Sequence, residues 1–335
     1  MVPCREGYPV AGPTPSNEAI LPPMSLRDVL RTLVLAVVVL GVIVAGAVVF
    51  GVIDQPSVAA TESRFAGVNA STTVVETDVV VANPNPVGVR LGNATVGHTI
   101  TMNGITMGTA TTEGFRLTTG NTTIGLTTPI DNRRIPEWWA SHVRNGERTR
   151  LVATARVRSS LLGRTATVRE TEPIETGITD AFNSTEPRPV NADLPLIDDP
   201  LLVVNRTSAT WSEVTEETTT LSTDIAVSNP KSIPYPISRI EYEVTMNDVT
   251  VGNGTTASGY TVPADGQETV RANVTIDNSK LDEWWVSHLE NGQRTDLRVD
   301  LTAVVELPTG DTARLSLDGL GYGTTIETDV LDGDG

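Results

Sequence analysis

The feature that most constrains this chain is a stretch that it contains twice. Asp131-Asn132-Arg133-Arg134-Ile135-Pro136-Glu137-Trp138-Trp139-Ala140-Ser141-His142-Val143-Arg144-Asn145-Gly146-Glu147-Arg148-Thr149 returns, with substitutions, over 277–295. Trp138 and Trp284, His142 and His288, and Gly146 and Gly292 each stand 146 positions apart, so no insertion separates the copies. The match runs outward at the same offset: Phe65 meets Trp211, Val68 meets Val214, Asn83-Pro84 meets Asn229-Pro230, and Leu151 meets Leu297. After a small length change Ile174-Glu175-Thr176 finds Ile326-Glu327-Thr328. A chain built this way must satisfy one fold twice, with units expected over 55–178 and 201–330. Between them, 179–200 holds Pro187, Pro189, Pro195 and Pro200 among scattered acids, the composition of a semi-extended linker. Residues 331–335 form an acidic tail.

Within each unit the dominant period is two. Val75, Thr77, Val79 and Val81 alternate with Glu76, Asp78 and Val80 until Asn83-Pro84-Asn85-Pro86 breaks the strand as a turn. Further strand-like runs lie at 94–102, 122–129 and 151–158, and at 240–246, 268–276 and 297–307. Asn103-Gly104 and Asn247-Asp248 are hairpin signals between β-rich flanks. About seven short strands per unit predict a mainly β protein of two tandem immunoglobulin- or fibronectin-III-like sandwiches. The duplicated stretch departs from this pattern. Ile135, Trp139 and His142 with Val143 recur at helical spacing, Pro136 suits a first turn, and Asn145-Gly146 or Asn291-Gly292 makes a stop. One short helix per sandwich is expected there, covering an end of the core.

Upstream of the repeats, 1–25 is proline-rich and reads as a disordered tail, with Met24 an alternative start. An uncharged run over 33–53 follows Arg27 and Arg31 and precedes Asp54. At 1.5 Å per residue it is long enough to cross a hydrocarbon core of about 30 Å, so a transmembrane helix is expected over 29–53. The flanking arginines put the N-terminus in the cytoplasm and the repeats outside the cell membrane. A cleaved signal peptide cut near Val58-Ala59-Ala60 is the competing reading, and it too makes the repeats extracytoplasmic.

The 335 residues carry 24 Lys+Arg against 41 Asp+Glu, a net charge of -17 that argues against nucleic acid as a partner. Lys231 and Lys280 are the only lysines. Few lysines with many acids, threonines and valines resemble a salt-adapted proteome. Cys4 stands alone, which excludes an intramolecular disulfide and a cysteine metal site.

Four of the five tryptophans and two of the three histidines sit in the duplicated stretches, so these are the first candidates for chemistry. Ser141-His142 and Ser287-His288 suggest a nucleophile and base, but adjacent helical residues point about 100° apart and do not face one another. The histidines are therefore expected as partly buried tips beside the Trp pairs. Trp138-Trp139 and Trp284-Trp285 allow two readings: core sealing by one member, or an exposed aromatic platform for sugar or lipid on the other. The terminal Asp-Xaa-Asp spacing hints at calcium without the full twelve-residue loop. No dinucleotide, phosphate-loop or zinc-protease motif is present, and no catalytic residue, cofactor or metal is expected. Sequons at Asn69, Asn93, Asn121, Asn183, Asn205, Asn253 and Asn273 fit an extracytoplasmic surface able to be N-glycosylated.

An apolar span, a β unit carrying Val-Xaa-Val-Xaa-Asn-Pro-Asn-Pro, a Met-Asn-Gly turn and a short helix ending in Asn-Gly together resemble the late embryogenesis abundant group 2 proteins. Their unit is the water stress and hypersensitive response domain. The resemblance covers both units, is most specific at Asn83-Pro84-Asn85-Pro86, and is looser at Asn229-Pro230-Lys231-Ser232. It implies a seven-stranded sandwich with one helix, a desiccation or stress association, and no enzymatic activity. The expected function is a bilayer-anchored, extracytoplasmic protein that protects or organises the cell envelope. The alternative is an adhesion or receptor-like module for an envelope protein or glycan.

Overall fold

The alternation read from the sequence becomes a register of buried and half-buried positions. In β2 (Thr72–Asn83) every second residue from Thr73 onward faces the core, as a sheet with one covered face requires. The computed structural model describes residues 57–159, 164–191, 199–255, 259–306, 312–316 and 322–327. The expected tail 1–25, span 29–53 and acidic tail 331–335 lie outside these residues, as does Asn93's side chain. Among the described residues no helix is long and apolar enough to cross a membrane.

The first unit contains β1 (Ser57–Val68), β2, β3 (Val89–Met102), β4 (Ile105–Leu117), β5 (Gly120–Asp131), β6 (Arg148–Ser159) and β7 (Arg164–Glu175). They run β1-β2-β5-β4-β3-β6-β7 as one antiparallel sheet that curls into a sandwich. The fold line lies between β4 and β5, where Gly108 and Ile130 form the one registered pair. The second unit repeats the plan with β9 (Leu202–Val214), β10 (Thr218–Ser228), β11 (Tyr235–Met246), β12 (Val249–Thr255), β13 (Tyr260–Val262), β14 (Gln267–Asp277), β15 (Arg294–Glu306), β16 (Thr312–Ser316) and β17 (Tyr322–Glu327). Here β14-β10-β9 and β12-β11-β15-β16 are separate sheets, with β13 on β11 and β17 on β15.

The segment between the units is packed on the second one over part of its length. A 3-10 turn, Thr179–Phe182, buries Phe182, and β8 (Arg188–Val190) pairs with β9 as an edge strand.

The repeat signature Asn83 explains itself by hydrogen bonding. Its buried amide donates to Val87 O at 3.0 Å and Thr118 O at 2.9 Å, while its oxygen accepts from the Asn85 backbone at 3.2 Å. Asn229 does the same toward Ile233 O at 2.7 Å and Lys231 N at 2.9 Å. A proline-containing turn has too few backbone donors to close itself, and one buried amide supplies them. Asn103 and Asn247, both at positive φ, pin their hairpins by accepting from Arg150 N at 2.8 Å and Asp296 N at 2.9 Å. Their amide nitrogens reach Ser141 Oγ and Ser287 Oγ, tying each hairpin to the helix of its unit.

Gly108 and Gly252 occupy the equivalent crossing of the two sheets. A Cβ would come within 2.4 Å of Pro129 O at the first and 2.2 Å of Thr275 O at the second. Backbone stands in the way in both cases, so alanine must push the sheets apart. Gly108→Ala and Gly252→Ala are each expected to destabilise by about 1–3 kcal/mol, the range for overpacking. Chemical denaturation followed by far-UV circular dichroism measures this, with Gly104→Ala, which faces open space but sits at positive φ, as a separable backbone control.

Candidate functional site

The two helices, Ile135–Arg144 and Leu281–Glu290, are formed as their sequences suggest. Each follows a 3-10 turn whose entry is capped by an aspartate: Asp131 accepts from Arg133 N at 3.1 Å and Asp277 from Ser279 N at 3.0 Å. Each ends at a glycine in the left-handed region, Gly146 at φ 68° and Gly292 at φ 67°. Each packs on its own unit, the first on β6 and the second on β12 and β15, and at that end the two helices also meet each other, each touching the opposite unit's first strand, β9 or β1.

All four paired tryptophans are buried in this joint, with relative exposures of 9% for Trp138, 3% for Trp139, 5% for Trp284 and 7% for Trp285. Neither member of a pair faces outward, so the exposed aromatic platform is not what these residues make. Trp138 meets Trp285 edge-on with centroids 6.1 Å apart, and Trp139 meets Trp284 at 6.0 Å. Trp139 Nε1 donates to Thr219 Oγ1 in the second unit at 3.2 Å, and Trp285 Nε1 donates to Thr73 Oγ1 in the first at 3.0 Å. Thr73 and Thr219 stand 146 positions apart, as Trp139 and Trp285 do, so the two bonds are related by exchange of the units. Each threonine in turn donates to a buried asparagine, Thr73 to Asn132 at 2.7 Å and Thr219 to Asn278 at 2.9 Å.

The other tryptophan of each pair keeps its hydrogen bond within its unit. Trp138 Nε1 donates to Thr149 Oγ1 at 2.8 Å, and Trp284 Nε1 to Thr295 Oγ1 at 2.9 Å. The histidines, expected as partly buried, are enclosed, at 2% exposure for His142 and 1% for His288. His142 Nδ1 lies 2.8 Å from Thr149 Oγ1 and its Nε2 lies 2.9 Å from Thr176 Oγ1, which donates to Glu147 Oε2 at 3.1 Å. The direction of this chain follows from its ends. An indole can only donate and an ionised carboxylate can only accept, so Thr149 donates to Nδ1 and Nε2–H donates to Thr176. His142 is thereby held as the neutral Nε2–H tautomer. Burial pushes both His142 and His288 down to about 4, with Glu147 opposing the shift at His142. Ser141 takes no part in this chain: its hydroxyl donates to Trp138 O at 2.7 Å, so serine and histidine form no dyad.

Glu147 is a residue that pattern reading passed over. It is buried, sits at φ 60°, and accepts from Thr176, Ile178 N, Thr179 N and Oγ1, and Trp211 Nε1 of the second unit at 2.8 Å. Its repeat counterpart is Gln293, and the counterpart of Trp211 is Phe65. Where the indole donor is absent the carboxylate is absent too, a paired change that the offset alignment contains but single-residue scanning does not. Thr73, Thr219, Asn132 and Asn278 were findable by the same offset.

The remaining sequence candidates are dispersed. Asn69, Asn121, Asn183, Asn253 and Asn273 are exposed and Asn205 is half-buried. Among the described residues no group of three His, Cys, Asp or Glu is arranged to hold a metal.

Two segments of the chain, 78–171 and 224–319, match the model of the late embryogenesis abundant protein family, one in each sandwich and together more than half of the sequence. The chain is 30% identical over 87 residues to the uncharacterized protein MJ1138 of Methanocaldococcus jannaschii, covering 25% of this chain and 50% of that protein. It therefore spans about half the length of the curated relative it matches. It is also similar to a crystal structure of a protein from Archaeoglobus fulgidus, with 28% identity and a TM-score of 0.35 over 38% of this chain and 99% of that one. The solution structure of AT1g01470 from Arabidopsis thaliana matches with 16% identity and a TM-score of 0.30, over 42% of this chain and 89% of that one.

Two predictions follow from the joint's geometry. Trp139→Phe and Trp285→Phe each keep one aromatic ring in the joint but delete a crossing bond and the packing of the second ring, so each is expected to cost about 2–3 kcal/mol in chemical denaturation, with matching values for the two variants. Trp139→Ala also removes the packing and should cost about 3–5 kcal/mol. The histidines predict a pH dependence. Free histidine titrates near 6.5 and the buried rings near 4, so the unfolded chain binds more protons between these values and stability falls as pH drops from about 6.5 to 4. The full shift corresponds to about 3 kcal/mol per histidine. Denaturation midpoints measured from pH 7 to 4.5 should decline, and a His142→Gln/His288→Gln double variant should show a flatter slope above pH 5, where carboxylates contribute little.

Proposed function

Because the chain belongs to the late embryogenesis abundant protein family, we propose that it is a desiccation-related, non-enzymatic protein of that family's group 2. In this reading its units are of the water stress and hypersensitive response type, and a helix over 29–53 holds them outside a cell membrane. Their task is to protect or organise the envelope of a salt-adapted cell when water activity falls.

The observation that carries the reading is the fate of the repeated aromatic stretch. The residues with the greatest capacity for chemistry, the Trp pairs and His142 and His288, are enclosed in the joint between the sandwiches with their donors and acceptors committed to one another. A body rigidified in this way and hydrated by carboxylates outside suits a spacer at a surface better than a catalyst. The uncharged run 33–53 and the arginines before it support the anchor. Exposed sequons support an outward-facing surface, with Asn69, Asn121, Asn183, Asn253 and Asn273 the exposed acceptors.

Protease treatment of intact cells tests the topology: the sandwich epitopes should be lost while an N-terminal epitope is retained, and protection of both would refute an extracytoplasmic location. Deletion of the gene tests the role. Reduced survival after drying or low-salt shock is expected; unchanged survival with altered cell aggregation would favour an adhesion or receptor-like module instead.

A further inference from the structure

The net charge is divided unequally between the two sandwiches. Residues 57–178 hold 12 Lys+Arg against 10 Asp+Glu, whereas residues 201–330 hold 8 against 20. Part of the first unit's positive charge lies on the solvent face of β3, β6 and β7. A groove of about 700 Å³ opens there, lined among the described residues by Arg150, Arg156 and Arg169 with Thr99, Thr154 and Asn103 and by no Asp or Glu.

Register places the charges. Thr154 pairs with Arg169 and Arg156 with Thr167, so Arg156 and Arg169 are diagonal neighbours on one face, with Cβ atoms about 7 Å apart. Thr99 lies opposite Thr154 on β3. Arg150 is six residues from Arg156 along β6, about 20 Å away at strand rise. All three arginines are exposed, and among the described residues none of their guanidinium groups has an ionic partner. The second unit treats the same face differently. Asp296 stands in place of Arg150, Asp300 in place of Thr154, and Glu243 in place of Thr99. Arg294 pairs with Glu327 at 2.9 Å, as its counterpart Arg148 pairs with Glu175 at 3.3 Å in the first unit, while Arg239 and Arg314 pair with Glu241 at 2.9 and 3.2 Å and Arg298 is exposed between Asp296 and Asp300.

Two guanidinium groups one diagonal apart, flanked by hydroxyl donors and without an ion-paired carboxylate among the described residues, form a fork for a tetrahedral oxyanion. We propose that this groove is a binding site for a ligand bearing phosphate-type oxyanions. One group is held between Arg156 and Arg169 with Thr99 and Thr154 as neutral donors, and Arg150 engages a second group at the far end of an extended ligand. The inference stands apart from the proposed envelope role, since it needs neither the anchor nor a stress phenotype.

The test titrates the full-length chain in a non-ionic detergent with inorganic phosphate, with inorganic polyphosphate, and with dihexanoyl phosphatidylglycerol below its micelle concentration, by calorimetry. Saturable binding that weakens with salt is expected, tightest for polyphosphate. Arg156→Gln/Arg169→Gln should weaken it at least about tenfold, the loss of charge-assisted bonds. Arg150→Gln should weaken polyphosphate but not inorganic phosphate. Arg271→Gln, the same charge change on the second unit, should leave all three unchanged. Binding of the phosphatidylglycerol with the same arginine dependence identifies a lipid headgroup as the source, and binding of polyphosphate alone identifies a free oxyanion. No saturable binding to any probe, or equal weakening by Arg271→Gln, would overturn the site.

Discussion

Three indole N–H groups cross from one sandwich to the other, and two of them, those of Trp139 and Trp285, are related by exchange of the units and hold the halves in register. A buried indole donor without a partner costs about 1–3 kcal/mol, so each unit is incomplete unless the other presents its threonine. Because Trp139 reaches Thr219 while Trp285 reaches Thr73, the joint has the self-complementary character of a twofold dimer interface, written into a single chain. The edge-on packing of Trp138 on Trp285 and of Trp139 on Trp284 depends on the same placement.

Around that joint the polar groups form a directed set. Trp138, Thr149, His142, Thr176 and Glu147 pass a hydrogen bond from donor-only indole to acceptor-only carboxylate, which leaves each histidine nitrogen one allowed role. An imidazolium would reverse one of these bonds and bury a charge, which is why the ring stays neutral well below its usual range. These histidines hold structure together, and acid weakens the same joint that the tryptophans make.

The halves have nevertheless diverged where divergence is tolerated. Glu147 with Trp211 against Gln293 with Phe65 shows a charge kept only where its donor is kept. On the solvent faces one ion pair is kept in both copies, Arg148 with Glu175 and Arg294 with Glu327, while beside it the first unit carries Arg150 and Thr154 where the second carries Asp296 and Asp300. The interior records what the repeat must preserve; the surface records what each copy was free to change.

The sequence by itself determined the duplication, the mainly β units, the helices and their glycine stops, and the hairpins at Asn103 and Asn247. All of these rest on local signals: period-two and period-3.6 spacing, turn residues and a constant offset. Only the tertiary structure decided what the helices face. Periodicity states that Ile135, Trp138, Trp139, His142 and Val143 share a buried side, but burial against one's own sheet and burial against a neighbour leave the same pattern in a linear chain. The choice came from contacts between residues far apart in sequence, Trp285 with Thr73 above all. It made the end that each helix covers the joint between the two sandwiches as well.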